Sequence, residues 1–503
     1  MRNKNVLEWL EAQWDNNRIV YWDSENSISF AEVYDRARRI GSSLMGVRET
    51  NPIAIITRRG IGTICGYLGI VYSGHAYAPI DGGLPRGRIE TILQTLKPSA
   101  IVADADNLSL ARELSDNVFY LDDLARGDID LVSLQDVRDR MAMTDPLYVI
   151  FTSGSTGRPK GVITSHESLM CYIESYTDVM GIDSLDILGN QSPLDYIAAI
   201  RDIYVPLLTG CSTTIIPTEF FMQPARLFSF MNENGITAVG WSVSALSVPV
   251  SLGAFRESEL TTLRKICFSG SVMPSSVLRL WQEHLPGAKF VNQYGPTEAT
   301  ASCTYYEIDH LVEPDEQLLI GKPYRHYKVF LLDDDLNATK PGEIGEICVS
   351  GPILALGYYN DPERTAKAFV RNPNVTGYPE LMYRSGDYGR LREDGMLEFH
   401  GRMDRQIKHM GHRVELDEIE YAANQIEGLD ECAALYSKEK ETIWLFYSGI
   451  VEKRCIALAL RQVLPMFMLP RKITKLDSIP KLSNGKIDMN QLKEKIEYER
   501  KST

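Results

Sequence analysis

Thr152-Ser-Gly-Ser-Thr-Gly-Arg-Pro-Lys-Gly161 follows the β-like run Tyr148-Val-Ile-Phe-Thr152. Its glycines, Gly154 and Gly157 among them, let backbone N–H groups come close to an anion. Hydroxyls at Thr152, Ser153, Ser155 and Thr156 and the cation Lys160 add donors and charge of the right sign. A surface turn needs one or two glycines, and neither the hydroxyls nor the lysine. The loop is not a Walker A loop, because Pro159 stands five residues after Gly154, where that motif requires glycine. Such β-rich runs alternate along the chain with amphipathic stretches, the pattern of an α/β protein.

The flanking sequence agrees. Asn51–Thr57 and Tyr148–Thr152 read as strands, and Ser29–Leu44 as an amphipathic helix. Pro341–Gly351 and Tyr383–Gly401 are glycine-rich and β-like, which predicts a small β-barrel-like subdomain closing a large N-terminal domain of sheets flanked by helices. Leu416–Glu427 and Ile456–Leu464 read as helices and Ile443–Tyr447 as a strand, a small, compact α+β domain that ends in a charged tail after Asp488. Residues 1–402 and 403–503 are the expected domains, consistent with a chain of 503 residues when one core seldom exceeds roughly 250–300.

With 53 Lys and Arg against 67 Asp and Glu the formal charge is −14, without a long basic block, which disfavours nucleic acid and anionic membranes as partners. No signal-length or membrane-length apolar run is present, so a cytoplasmic protein is expected. The eight cysteines lack C-x-x-C spacing and suit reduced, mostly buried thiols.

The loop resembles that of the adenylate-forming superfamily of acyl-CoA synthetases, luciferases and peptide-synthetase adenylation domains. The resemblance runs almost end to end: Ser73–Asp81, Asn292-Gln-Tyr-Gly-Pro-Thr-Glu298, Tyr383-Arg-Ser-Gly-Asp-Tyr388, Gly401–Lys408, Gly411–Glu420 and Pro480–Asp488 each look like a superfamily motif, in order. It is most similar to stand-alone non-ribosomal peptide synthetase adenylation domains and to D-alanine–carrier protein ligases.

The resemblance implies attack of a carboxylate on the α-phosphorus of ATP with loss of pyrophosphate, a step that cations and Mg²⁺ assist. It assigns Glu298 to Mg²⁺, Thr297 to the α-phosphate, Tyr294 to the face of adenine and Asn292 to its amino edge, with Gln293, Gly295 and Gly270 alongside. Asp387 takes the ribose hydroxyls, which suits a carboxylate with two acceptor oxygens. Arg402 and Arg413 lie near ribose and phosphates, and Lys486 bonds the reacting carboxylate.

Family members then rotate the small domain to admit a phosphopantetheine thiol; the pivot matches Asp404, and Gly411 matches the glycine lining the thiol tunnel. With no carrier motif after Asp488, a separate carrier protein is the expected acceptor, and coenzyme A the alternative. A non-catalytic adenylate-binding protein and a luciferase-like oxygenase are readings of other classes. Retention of Lys486, Glu298 and the loop argues against the first, and nothing marks oxygen chemistry for the second.

Gly189–Tyr204 aligns without gaps to the family stretch whose aspartate pairs with a substrate α-ammonium, and Ile197 occupies that aspartate's position. The remaining acid-pocket positions are Tyr196, Ala198, Arg201, Ser244, Cys267, Ser269, Gln293, Ala301 and Ser302. An α-amine beside Ile197 lacks a counter-ion unless Asp195 supplies one, which it can do from the same face if this segment is extended. Arg201 either meets a second carboxylate or acceptor on the substrate, pairs with a neighbour such as Asp202, or is solvated.

Overall fold

The structure is a computed structural model. It describes residues 5–154, 158–402, 405–481 and 487–501; Ser155, Thr156, Gly157, Asp404 and Lys486 lie outside the described residues. Contacts divide the chain into two units, one of residues 1–82, 95–151 and 161–403, the other of residues 83–94, 152–160 and 404–503.

In the first unit the strands Ser212–Ile215, Ile187–Asn190, Ala238–Ser242, Lys265–Ser269 and Lys289–Tyr294 run parallel in the middle of a nine-stranded sheet. Alternation of side chains sorts this sheet into two faces. Ala238, Cys267 and Val291 enter one core, while Val239, Trp241, Ile266, Phe268 and Phe290 enter another. Parallel strands place their carboxyl ends on one edge, where open α/β sheets gather ligand sites. Gln293 lies near that edge and Gly240 and Cys267 at the middle of their strands, and the helices His166–Met180 and Ile200–Thr209 cover the Cys267 face.

Strands Tyr77–Asp81, Ile53–Thr57, Ile101–Ala103 and Val118–Tyr120 form the parallel part of a seven-stranded sheet, which reaches the loop-bearing strand Pro146–Thr152. The expected Ser29–Leu44 helix is Phe30–Ser43, with Ser29 closing a capping box on Glu32. The glycine-rich region folds as a five-stranded antiparallel sheet that includes Ile344–Ser350, Leu381–Leu391 and Leu397–Arg402. Seven cysteines are buried and Cys455 is exposed, all as free thiols.

His166 opens its helix fully buried, and burial, assisted by the nearby Arg138 charge, pushes its imidazole down to about 3. The folded chain thus holds the neutral ring while the unfolded chain protonates at about 6.5. The stability this provides is complete above that value and is lost progressively as pH falls towards 3. Urea midpoints measured from pH 7.5 to 4 are expected to drop less steeply in His166→Asn than in the unaltered protein; parallel curves would show that another group carries the slope.

In the second unit the sheet of Leu429–Ser437, Thr442–Gly449 and Lys472–Lys475 is covered on both faces. Ala434, Ile443 and Leu445 pack with residues of the helices Leu416–Asn424 and Lys453–Val463. The opposite face corrects the sequence reading: beyond Asp488 there is a helix, Met489–Lys501, not a tail. Its Leu492 and Ile496, four residues apart, bury against Ala433, Leu435, Trp444 and Phe446. Dense charge along the helix masks that two-residue apolar stripe. Among the described residues no helix is long and apolar enough to cross a membrane.

Candidate active site

A carboxylate held between a phenol and a guanidinium forms one part of the site. Asp387 and Arg402 face each other across the antiparallel pair Leu381–Leu391 and Leu397–Arg402. The register brings Arg402 Nη1 to 2.5 Å from Asp387 Oδ1, and the Tyr294 hydroxyl donates to Oδ2 at 2.5 Å. Asp387 is buried, so the guanidinium supplies the charge balance that water would otherwise provide. A carboxylate retains lone pairs after accepting two such bonds, which leaves it able to accept from ligand hydroxyls. Tyr294 ends the strand Lys289–Tyr294, and the Nδ2 of Asn292 donates to the Leu319 carbonyl at 2.8 Å.

After Tyr294 the chain turns tightly. The Cys303 N–H returns to the Tyr294 carbonyl at 2.8 Å, and Thr300 and Ala301 adopt left-handed φ values of 45° and 72°. Such conformations in residues with a Cβ cost on the order of 1–3 kcal/mol each and cluster at functional sites. Gly295 lies under this turn, where a Cβ would sit 2.4 Å from Ser302 Cα. Thr297 and Glu298 occupy the short 3₁₀ turn Thr297–Ala299 and are buried, and the Tyr358 hydroxyl donates to Glu298 Oε1 at 2.7 Å. Gly270, just after Lys265–Ser269, has φ 97°.

The residues expected to bind the acid only partly converge. Arg201 is 1% exposed; its Nε donates to the Ala198 carbonyl at 3.2 Å, Nη1 to Gln293 Oε1 at 3.2 Å and Cys267 Sγ at 3.6 Å, and Nη2 to the Gly240 carbonyl at 2.9 Å. The Ser302 hydroxyl reaches the same Gln293 oxygen at 3.4 Å. Tyr196 and Ala301 pack at the margin of the core that contains Ile197. Ser244 and Ser269 are half-buried, without a hydrogen bond to this group.

Two sequence expectations are corrected here. Asp195 lies in a turn before the 3₁₀ segment Ile197–Ala199, so it does not share an extended face with Ile197. Its Oδ2 instead accepts from the Asp81 N–H at 3.4 Å, and burial together with the Asp81 charge raises its carboxyl to about 7. Nor does Arg201 pair with Asp202 or meet solvent. Asp202 accepts from Asn190 Nδ2 at 2.7 Å, and burial raises it to about 6.

Sequence reasoning missed Tyr172, Tyr176 and Gly240. The Arg201 guanidinium lies 5.6 Å from the Tyr176 ring, and a Cβ on Gly240 would stand 3.0 Å from its Cζ. The available signal was Gly240 itself, since an isolated glycine inside a strand marks a close approach.

In the second unit, Ser153 donates to the Arg413 carbonyl at 2.6 Å, and the Gly154 N–H donates to Glu418 Oε2 at 3.1 Å. Arg88 pairs with Glu418. Lys160 and Thr152 are buried, and Thr152 Oγ1 has no partner among the described residues. Gly411 follows Met410, with φ 81° and 52° respectively.

Tyrocidine synthase 1 of Brevibacillus parabrevis is 30% identical over 496 residues, covering 97% of this chain and 44% of that protein. The chain thus spans less than half the length of the curated relatives it matches. Two solved structures share the fold. The Vibrio cholerae adenylation domain AlmE, in complex with glycyl-adenosine-5′-phosphate, has a TM-score of 0.84 at 21% identity and 99% and 98% coverage of this chain and its own. An artificially fused adenylation–PCP di-domain, NpsA-ThdA from Klebsiella oxytoca, has a TM-score of 0.81 at 19% identity and 95% coverage of each. The AMP-binding enzyme family model matches residues 7–359, and the chain belongs to that family of adenylate-forming ligases.

Proposed function

We propose that this chain activates a small carboxylic acid as its acyl-adenylate, releasing pyrophosphate, and transfers the acyl group to the phosphopantetheine thiol of a separate carrier protein. The observation that carries the reading is Asp387 held between Tyr294 and Arg402. A buried, charge-balanced carboxylate is suited to the ribose hydroxyls. By resemblance, the loop at Thr152–Lys160, Gly270 and Arg413 are assigned to the phosphates, Asn292, Tyr294 and Gly295 to adenine, and Thr297 to the α-phosphate, while the Gln293 side chain turns towards Arg201. Glu298 offers Mg²⁺ a hard oxygen ligand, and one or two carboxylates with phosphates and water are the usual set for that ion. Bound there, Mg²⁺ would offset the negative charge of the phosphates.

In our assignment residues 1–402 carry these sites apart from Arg413, and residues 403–503 carry Arg413, Lys486 and the hinge. A carrier as acceptor is supported by the similarity to a peptide synthase and by the fused adenylation–PCP neighbour. The helix Lys453–Val463 adds an exposed face of Lys453, Arg454, Leu458 and Arg461, beside exposed Ile450 and Met466. Mixed apolar and basic surface suits an acidic carrier on a chain whose net charge is −14.

ATP–pyrophosphate exchange with a panel of acids tests the first half. No exchange with any acid would favour the adenylate-binding alternative. Mass spectrometry after incubation with ATP, acid and either coenzyme A or a phosphopantetheinylated carrier tests the second, and rapid turnover on coenzyme A alone would refute the carrier. Lys486→Ala is expected to slow adenylation by about ten- to a hundredfold, the worth of a charge-assisted bond of roughly 1.5–3 kcal/mol. It should spare thioester formation from a supplied adenylate, whereas Asp404→Pro should impair the second half more. Equal losses of both halves in both variants would sink this division.

A further inference from the structure

Arg201 is a buried monovalent cation, and every group it bonds is neutral. Its acceptors are the carbonyls of Ala198 and Gly240, the Gln293 side-chain oxygen and the Cys267 sulfur. No carboxylate lies within 4 Å of it among the described residues, and Asp202 acts on its charge only through space, from farther away. Asp202, its neighbour in sequence, is committed to Asn190. A guanidinium keeps its proton, so burial cannot neutralise it as it would a lysine. A buried charge of this kind calls for an anion.

The surroundings narrow what the anion is. Gln293 Nε2 and the Tyr172 hydroxyl are buried without hydrogen-bond partners among the described residues. Gln293 Oε1 already accepts from Arg201 and Ser302, which fixes the amide so that its unpartnered atom is a donor. The Tyr172 hydroxyl lies near Ser302 and Arg201 without meeting either in bonding geometry. Donors therefore collect here in excess of acceptors. Gly240 belongs to the same arrangement, since any side chain there would press on the guanidinium. The position that would pair with an α-ammonium holds Ile197, which is 6% exposed in the apolar core.

We propose that Arg201, with Gln293 and Tyr172, binds a second carboxylate on the substrate, so that the acid activated is a dicarboxylic acid without an α-amine. One carboxylate is adenylated and the other stays ionised against Arg201. This inference rests on the adenylation reading above, and deepens it by naming the substrate class.

The test is ATP–pyrophosphate exchange by the full chain with malonate, succinate, glutarate, adipate and phthalate, each against its monocarboxylic counterpart of equal length, with glutamate and 3-phosphonopropionate as further arms. At least one diacid is expected to exceed its monoacid by about thirtyfold or more in kcat/KM, and to exceed glutamate. Arg201→Met should collapse the diacid-to-monoacid ratio towards unity. Arg201→Lys, which keeps the charge without the planar fork, should recover part of it. Replacement of a buried ion by an apolar side chain of similar size is often tolerated, and circular dichroism of Arg201→Met checks that the fold survives. Equal use of diacids and monoacids, insensitive to Arg201→Met, would overturn the proposal, and a preference for the phosphonate or for glutamate would overturn the assignment to a plain diacid. If no acid supports exchange, the adenylation reading fails separately. The inference is then decided by whether a diacid alone raises the melting temperature of the unaltered protein and not of Arg201→Met; no rise in either would overturn it.

Discussion

Gly295→Ala is expected to abolish pyrophosphate exchange, lowering it at least about a hundredfold, and to destabilise the first unit by about 3 kcal/mol or more. The added Cβ would sit 2.4 Å from Ser302 Cα, 2.7 Å from Cys303 N and 2.8 Å from the Ala301 carbonyl oxygen. All three are backbone atoms, so no rotamer change relieves the contact. Overpacking a core ordinarily costs about 1–3 kcal/mol, and the upper end applies where the neighbour cannot yield. Here the neighbour is already strained, because Thr300 and Ala301 hold left-handed φ values. Displacing the turn would move Thr297 and Glu298 on one side and Ser302, which bonds Gln293, on the other. Thermal melting and exchange measured together separate the effects. A variant that melts like the unaltered protein and retains exchange within threefold would show that the turn moves freely.

Much of this arrangement is legible from sequence because ordered motifs specify it. The strand before the phosphate loop and the β-like run through Asp387 are both where their residues predict. What escapes is chemistry that depends on packing between distant segments. Tyr172 and Tyr176, four residues apart on a helix, read as ordinary core, and only the fold brings Tyr176 to Arg201. Arg201 itself looks pairable with Asp202, but adjacent helical residues point in different directions, and Asn190 takes that carboxylate. Asp195 fails as a counter-ion to an α-amine for a local reason: a turn and a 3₁₀ segment replace the extended backbone its alternation requires. The Met489–Lys501 helix escapes because its apolar stripe is carried by Leu492 and Ile496 amid charges.

Arg402→Ala should destabilise the first unit by about 3–5 kcal/mol, the cost of stranding one member of a buried pair. Asp387 would remain buried with the Tyr294 hydroxyl as a neutral donor and no cation. The side chain of Arg402 is itself only 13% exposed, so surface-pair arithmetic does not apply. Removing Asp387 as well takes away the stranded charge, so the double variant Asp387→Ala/Arg402→Ala should be less damaged than the sum of the single changes. Contacting residues in one polar network show coupling of about 0.5–3 kcal/mol. Tyr294→Phe supplies the third corner: it deletes one donor to Asp387 and leaves the ion pair, and should cost about 1 kcal/mol. In our assignment Asp387 also takes the ribose, so Asp387→Ala should weaken ATP in exchange assays while Tyr294→Phe does so much less. Denaturant unfolding of the four-member cycle decides between network and coincidence, for strict additivity would mean that Asp387 and Arg402 contribute independently and that the close pairing across the two strands carries no energy of its own.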